Sequence, residues 1–227
     1  MTTTLITGGN KGLGYTTAQR LIAAGHTVYI GARDEARGKA AAEELGARFV
    51  QLDVTSNESV DAAIASIDAL DVLINNAGIV GPRSAPEDLT AEEVRDLYET
   101  NVFGIVRMTR AALPLLRGSA APSIINVTSG LGFARFVNDP TRVESTFATV
   151  AYGSSKAAVI MMSVQYAKAL PGIRVSVADP GYTATDFNGH NGTQTVEEGT
   201  DAIVRLALEG ADGPTGGFYD REGLNAY

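Results

Sequence analysis

Residues 5–14 read Leu5-Ile6-Thr7-Gly8-Gly9-Asn10-Lys11-Gly12-Leu13-Gly14, a short apolar run followed by a glycine cluster. A helical pattern comes next, with Ala18, Leu21 and Ile22 on one face, and it stops at Gly25. Glycines between a strand and a helix permit a tight turn and let backbone amides approach a pyrophosphate. The glycines alone indicate only a turn, but together with the flanking strand and helix they predict nucleotide binding.

The rest of the chain alternates strand and helix patterns. Further strands are predicted at Thr27–Ile30, Arg48–Leu52, Val72–Ile74, Ser123–Val127, Ile173–Ala178 and Gly217–Tyr219. Helices are predicted at Arg37–Leu45, Asn57–Ile67, Thr90–Leu116, Tyr152–Leu170 and Val196–Leu208, with irregularities at Gly104 and Pro114. Apolar strands separated by helices indicate a parallel sheet covered on both faces. We therefore predict an α/β fold: one domain, residues 1–227, with a Rossmann-type doubly wound sheet of about seven strands that binds ligands beyond the strands' carboxyl ends.

Composition excludes several functional classes. The net charge of −8 argues against a nucleic-acid partner, which requires a basic patch. The chain has no cysteine and two scattered histidines, so we expect no disulfide, no thiol catalysis and no metal site. The first residues carry no basic segment, and no run of 18 apolar residues occurs. We expect a cytoplasmic protein without a signal peptide or membrane span.

Tyr152-Gly153-Ser154-Ser155-Lys156 is the candidate for proton chemistry. Residues four apart on a helix share one face, with Cβ atoms about 5–6 Å apart. A neighbouring ammonium favours the phenolate, so we expect the pKa of Tyr152 to lie below its ordinary value. Such a tyrosine is a proton donor to a carbonyl or an acceptor from an alcohol. The pair by itself is more often a chance occurrence, so its meaning depends on the other motifs.

These motifs follow one another in a recognisable order. They are Thr7–Gly14, Asn75-Asn76-Ala77-Gly78, Asn101, Ser129, Tyr152-x-x-x-Lys156 and Pro180-Gly181. Over its whole length the sequence resembles the short-chain dehydrogenase/reductase family. It is most similar to the carbonyl-reductase-type branch, on the evidence of Ala32-Arg33-Asp34, Pro180–Asp186 and Gly213–Phe218.

The resemblance implies four catalytic residues: Asn101, Ser129, Tyr152 and Lys156. Tyr152 is expected to be the general acid in carbonyl reduction and the base in the reverse direction, and Lys156 to hold the nicotinamide ribose. Ser129 is expected to hydrogen-bond the carbonyl oxygen as charge develops there, although Thr128 is an alternative. Asn101 is expected to hold a water that links Lys156 to solvent; the alternative is a polar residue that distorts a helix.

The resemblance also implies a nicotinamide cofactor. The position that carries an acidic residue in NAD-dependent members corresponds to Ala32 and is followed by Arg33, and Lys11 lies in the glycine loop. Two cations attract a 2′-phosphate, so NADP(H) is favoured over NAD(H), unless a different strand register makes Asp34 the ribose carboxylate. The expected cofactor-binding residues are Gly8, Asn10, Lys11, Gly12, Leu13, Gly14, Arg33, Asp53, Val54, Asn75, Ala77, Gly78, Tyr152, Lys156, Pro180, Gly181, Thr183 and Thr185.

Two segments differ from the common family pattern. Twenty-two residues separate Ser129 from Tyr152, which indicates an insertion over the site at residues 133–149. In this branch such an insertion blocks oligomer formation, so we expect a monomer, with a homo-oligomer as the alternative. The polar stretch 186–195 is short, which indicates an open cleft. Phe133, Phe136, Tyr182 and Phe187 are either pocket aromatics or core residues.

The sequence thus predicts an NADP(H)-dependent oxidoreductase. Its small-molecule substrate is expected to be a ketone, aldehyde or quinone, or the corresponding alcohol. The alternative is a non-catalytic NADP(H)-sensing regulatory protein, but such relatives typically lack the tyrosine or the lysine, and both are present here.

Overall fold

A computed structural model describes residues 1–82 and 84–225 of the chain. In this part the strands form one sheet in the order β3-β2-β1-β4-β5-β6-β7-β8. The strands are β1 (Thr3–Thr7), β2 (Thr27–Ala32), β3 (Arg48–Gln51), β4 (Val72–Asn75), β5 (Ser123–Val127), β6 (Arg174–Ala178), β7 (Phe218–Tyr219) and β8 (Leu224–Asn225). All neighbours are parallel except β7 and β8, which are antiparallel. The predicted fold class is confirmed, and β8 is an eighth strand too short to show a periodic pattern.

Helices connect the strands. They are α1 (Gly12–Ala23), α2 (Glu35–Leu45), α3 (Asn57–Ala65), α4 (Ala91–Tyr98), α5 (Gly104–Leu116), α6 (Ala134–Val137), α7 (Val150–Ala169), α8 (Val196–Gly199) and α9 (Asp201–Leu208). The predicted helix 90–116 is divided by a π-helix, Glu99–Phe103, whereas Pro114 lies inside α5. The predicted helix 196–208 is divided at Thr200. In residues 1–82 and 84–225 no helix has the length and apolar character needed to cross a membrane.

Side-chain caps fix where several of the helices begin. Asp34 caps α2, Ser56 caps α3, and Thr90 forms a capping box at α4. Each side-chain oxygen satisfies a backbone amide that has no partner within the helix. By contrast, the N-cap of α1 is Lys11, which makes no side-chain cap hydrogen bond. The first amides of α1 are therefore placed to receive an anion.

The core has two main layers, one on each face of the sheet. Leu5 and Ile6 are adjacent in β1, are both fully buried, and belong to different layers because successive strand residues point to opposite faces. Ile6 packs with α1, α2 and α9, while Leu5 packs with α3 and α5. A third cluster, including Phe133, Phe136 and Phe218, anchors the insertion on the sheet.

The register brings the carboxyl ends of the strands to one edge. Thr7 of β1 is opposite Gly31, Asn75 of β4 is opposite Asn126, and Val127 of β5 is opposite Ala178. The segments after β1, β2, β4, β5 and β6 therefore meet along this edge, where ligands of doubly wound sheets bind.

Candidate active site

The glycine loop is a close backbone turn held by Asn76. Gly8 and Gly12 have φ values of +65° and +54°, which favour glycine. A Cβ on Gly14 would lie 2.5 Å from the Gly8 carbonyl oxygen and 2.6 Å from Asn76 Nδ2. The Asn76 amide donates to the carbonyls of Thr7 and Gly8, at 2.9 and 3.1 Å. Asn76 therefore joins the end of β4 to the loop, a role that the sequence analysis missed although Asn76 lies within a motif it quoted.

Tyr152 lies in the first turn of α7, partly exposed, with Lys156 one turn later and buried. Lys156 Nζ is 5.6 Å from the centre of the Tyr152 ring and donates to the Val127 carbonyl at 3.2 Å. The Thr128 hydroxyl donates to the Lys156 carbonyl at 3.1 Å. The end of β5 thus holds Lys156 by both its side chain and its backbone.

The expected lowering of the pKa of Tyr152 is wrong for this structure. Removal of the phenol from water raises its pKa, the negative charge of Asp179 raises it further, and only a hydrogen bond with Ser129 lowers it. Burial lowers the pKa of Lys156 to about 8, against an opposing effect of Asp179. Desolvation and the charge of Asp179 therefore outweigh the hydrogen bond with Ser129, and Tyr152 is held in its protonated form.

Ser129, not Thr128, is the hydroxyl at Tyr152. The Ser129 side chain hydrogen-bonds Tyr152 and accepts from the Leu131 amide at 3.2 Å, at the start of a 3-10 turn, Gly130–Gly132. Thr128 is buried and bonded to the Lys156 backbone. Of the two adjacent hydroxyls, that of Ser129 therefore faces the Tyr152 hydroxyl, whereas that of Thr128 faces the backbone of α7.

Asn101 is the centre of the π-helix and is buried. Its Oδ1 accepts from the Ile79 amide at 2.9 Å, and its Nδ2 donates to the Ile79 carbonyl and to Ser155 Oγ, at 3.0 and 3.1 Å. The position of a Cβ on Gly78 would be 3.4 Å from Asn101 Oδ1 and 3.6 Å from Lys156 Nζ. Asn101 thus joins the segment after β4 to α7, close to the lysine.

The segment after β6 packs against the glycine loop. Gly181 has a φ of +66°, and Thr183 and Thr185 are both buried. The Thr183 hydroxyl donates to the Pro180 carbonyl at 2.7 Å, and Thr185 caps a short 3-10 helix, Asp186–Asn188. Across the gap, Lys11 Nζ lies 3.3 Å from Asp186 Oδ2, and both side chains are exposed.

The remaining predicted cofactor residues lie along the same edge in different environments. Asn10, Leu13, Asp53, Ala77 and Gly78 are partly exposed, Arg33 is exposed, and Val54 is buried. Asn75 is buried in the sheet, and its amide donates to Asn126 Oδ1 at 2.8 Å. The side chain of Asn75 therefore belongs to the interior of the sheet rather than to the open edge.

The four candidate aromatics separate into two pairs. Phe133 and Phe136 are core residues that contact Phe218. Phe187 contacts the Tyr152 ring, with centroids 5.7 Å apart. Tyr182 contacts Phe147 of the insertion, also at 5.7 Å. Beyond Phe147, the insertion and the start of α7 line an open pocket of about 430 Å³.

Known proteins resemble this chain over most of its length. The sequence profile of the family described as short chain dehydrogenase matches residues 2–195. A short-chain dehydrogenase of Penicillium roqueforti, anuI, is 39% identical, covering 91% of this chain and 88% of the relative. A (+)-neomenthol dehydrogenase of Capsicum annuum is 30% identical, covering 96% and 95%. The crystal structure of NADPH-bound carbonyl reductase from chicken fatty liver superposes with a TM-score of 0.86 at 26% identity, covering 99% of this chain and 98% of that one.

Proposed function

The chain belongs to the short-chain dehydrogenase family, whose members are oxidoreductases, and we propose that it is an NADP(H)-dependent enzyme that interconverts a small carbonyl compound and its alcohol. The observation that carries the proposal is the convergence of Ser129, Tyr152 and Lys156 at the end of β5. One unit, residues 1–227, both binds the cofactor and carries the chemistry.

The proton chemistry falls to the tyrosine. In the reductive direction the Tyr152 hydroxyl donates its proton to the substrate oxygen, and Ser129 donates a hydrogen bond to the same oxygen as negative charge develops. The raised pKa of Tyr152 keeps the donor protonated at neutral pH. Lys156, with a pKa of about 8, is largely cationic there and stabilises the tyrosinate that proton transfer leaves. Asn101 holds the water through which the proton is resupplied.

The residues present fit a dinucleotide. The amides at the start of α1 have no side-chain cap, and Gly12 leaves the turn beside them without a side chain, so that a pyrophosphate fits close to the backbone. Lys156 holds the nicotinamide ribose, and Thr185 the carboxamide. When bound, the nicotinamide supplies or accepts the hydride.

Preference for the phosphorylated cofactor rests on the end of β2. Asp34, the alternative ribose ligand, accepts from the Arg37 amide at 3.0 Å as the cap of α2, and Arg37 Nε is 3.5 Å from its other oxygen. The carboxylate is thus engaged by α2, whereas Arg33 is exposed beside it. The carbonyl reductase of similar structure binds NADPH, which supports the same preference.

Location and assembly complete the proposal. We propose a cytoplasmic monomer that acts on a small ketone, aldehyde, quinone or alcohol. The insertion anchored beside α7 is in keeping with a monomer. A relative that is a neomenthol dehydrogenase is in keeping with a small substrate.

The deciding experiment follows NADPH oxidation with a panel of ketones, aldehydes and quinones. We expect turnover in the wild type and a loss of about 100-fold or more in kcat in Tyr152→Phe, with NADPH binding retained. If the turnover of the wild type is no higher than that of Tyr152→Phe, and both proteins bind NADPH tightly, the enzymatic proposal is contradicted and the sensing alternative is favoured. Equal catalytic efficiency with NADH contradicts the cofactor preference alone.

A further inference from the structure

Asp179 is a buried carboxylate to which the proposed reaction assigns no role. It directly follows β6 and is 2% exposed. One oxygen accepts from the Gly181 amide at 2.9 Å, and the carboxylate also accepts a hydrogen bond from the Gly130 amide. One side chain thus joins the turn that follows Ser129 to the turn that precedes Thr183.

A second buried carboxylate, Glu144 of the insertion, lies on the same side of Gly130. A Cβ on Gly130 would be 2.5 Å from Glu144 Oε1 and 3.1 Å from Asp179 Oδ2. Glu144 has a cation, because Arg142 contacts both its oxygens at 3.2 Å. Within residues 1–82 and 84–225, Asp179 has no ion-pair partner. Two adjacent buried carboxylates with one cation destabilise a fold, so a functional reason is to be sought.

The groups that face Asp179 come from three other segments. They are Tyr152 and Lys156 on α7, Glu144 with its partner Arg142 in the insertion, and Asp220 after β7. Lys156 is the cation among them whose charge Asp179 stabilises directly. Burial and the two like charges raise the pKa of Asp179 to about 6, so it is mainly ionised at neutral pH.

The same turn fixes Asp179 relative to α7. Gly130–Gly132 carries Ser129 at its start, contacts Asp179 and Glu144 through Gly130, and packs at Gly132 directly on the backbone of Lys156. The carboxylate, the turn and the lysine therefore form one contiguous cluster.

We propose that Asp179 is a positioning residue, whose buried carboxylate fixes the turn that carries Ser129 and places a negative charge beside Tyr152 and Lys156. Its catalytic meaning rests on the function proposed above, where it favours the proton-donating, reductive form of the site.

The test uses the lysines as probes, because the chain has only four: Lys11, Lys39, Lys156 and Lys168. In the full-length protein labelled isotopically at lysine Cε, NMR titration follows each lysine, and Lys156→Arg assigns the buried one. Asp179→Asn is expected to lower the Lys156 midpoint by about one pH unit, since removal of an opposite charge has effects of this size. Asp179→Glu is expected to restore it, and the other three lysines serve as internal controls. An unmoved midpoint in a folded Asn variant overturns the proposal.

A second variant keeps the test decisive if Asp179→Asn does not fold. Glu144→Gln removes a like charge beside Asp179, so Asp179 should ionise at lower pH. The Lys156 signal of the wild type is expected to show a step near pH 6 as Asp179 titrates, and this step should move to lower pH in Glu144→Gln. Absence of the step, or a step that does not move, overturns the proposal.

Activity provides the functional readout. In Asp179→Asn the basic limb of the pH profile of kcat/KM for reduction should move to lower pH together with the titration midpoint of Lys156. If Asp179 had a purely structural role, its substitution would lower the rate without moving this limb. The NMR titration needs no substrate. Failure to find turnover therefore tests the proposed function, and an unmoved lysine midpoint tests Asp179.

Discussion

Lys156 and Tyr152 do not meet through their polar ends: the ammonium lies 5.6 Å from the centre of the tyrosine ring and donates to the Val127 carbonyl. The phenol instead has Ser129 as its hydrogen-bond partner. A substrate oxygen placed between the two hydroxyls accepts one hydrogen bond from Ser129, at the end of β5, and one from Tyr152, on α7. The charge of Lys156 acts on the tyrosine ring from the side.

Ser129→Ala should therefore reduce kcat by about 100-fold or more, the effect of removing one donor to a developing oxyanion. The pKa of Tyr152 should also rise further, because the hydrogen bond from Ser129 is the one interaction that lowers it. Steady-state kinetics over a range of pH checks both effects. Ser154→Ala, at an exposed position on α7 two residues from Tyr152, is the matched control and should change kcat by less than about twofold. Similar losses in the two variants would contradict the role of Ser129.

Arg33→Asp should weaken NADPH binding by about tenfold or more, since it removes a charge-assisted contact to the 2′-phosphate and adds a repulsive charge. NADH binding should change little. Titration of cofactor fluorescence measures both affinities. Arg117→Asp makes the same charge change at the exposed end of α5, so it separates a local contact from a general effect of net charge. Parallel losses for NADPH and NADH would refute a phosphate contact.

Gly132→Ala should destabilise the protein by about 1–3 kcal/mol, because the new methyl group would overlap the backbone of Lys156 and Ala157. Activity should fall with stability, since the turn carrying Ser129 must move away from α7. Chemical denaturation measures the first effect, and kinetics the second. Gly210→Ala faces open space at an ordinary backbone conformation and should stay within about 0.5 kcal/mol of the wild type.

Asp179 should make stability depend on pH in a defined direction. Its pKa is raised from 3.8 to about 6 on folding, so its stabilising contribution is complete below the unfolded-state value and is lost as pH rises through about 6. The free energy of unfolding of Asp179→Asn, taken relative to that of the wild type, should therefore rise by about 2–3 kcal/mol from pH 4 to pH 7. A hydrogen bond lost in the variant shifts this difference in free energy of unfolding by the same amount at every pH, so the dependence of the difference on pH is unchanged. Denaturation at several pH values measures the slope, and a flat difference would show that Asp179 is not buried in its charged form.

Phe187→Ala should raise KM for bulky apolar ketones by about fivefold to tenfold, because the ring contacts Tyr152 and adds apolar surface where substrate must approach. KM for small ketones should change much less. Phe103→Ala is a close control, since Phe103 is 41% exposed and Phe187 40% exposed, but Phe103 lies in the π-helix. Equal changes in KM for small and bulky ketones would argue against Phe187 as a wall of the cleft.

The local sequence pattern was sufficient to predict most of the strands and helices. Strands such as Ser123–Val127 are buried along their whole length, so apolar composition marks them clearly. β8 was not predicted because Leu224 is exposed and Asn225 is polar, whereas the equally short β7 consists of two buried aromatic residues. The division at Thr200 was not predicted because the apolar face continues across it.

The sequence predicted which residues lie at the site where chain order alone determines their position. It did not predict the properties that depend on desolvation or on side-chain orientation. Ser129, Tyr152 and Lys156 do come together. The predicted direction of the Tyr152 pKa shift was wrong, because a sequence shows the neighbouring cation but neither the desolvation of the phenol nor the proximity of Asp179. Asp179 and Asn76 were overlooked although each is polar at the end of an apolar strand, a signal that would have found both. Phe133 and Phe136 could not be separated from Phe187, since their burial depends on Phe218 from the far end of the chain.

The π-helix makes the region before α5 sensitive to chain length. A wider backbone turn there accommodates one residue more than an α-helix would, and that extra residue lets Asn101 reach Ile79 and Ser155 at once. Deletion of a single residue from Glu99–Phe103 would restore regular α-helical winding and leave α4 and α5 in nearly the same relative orientation, because the wide turn already absorbs the extra residue. The loss would therefore fall on Asn101 and its contacts with Ile79 and Ser155, while Leu97 would stay in the interior.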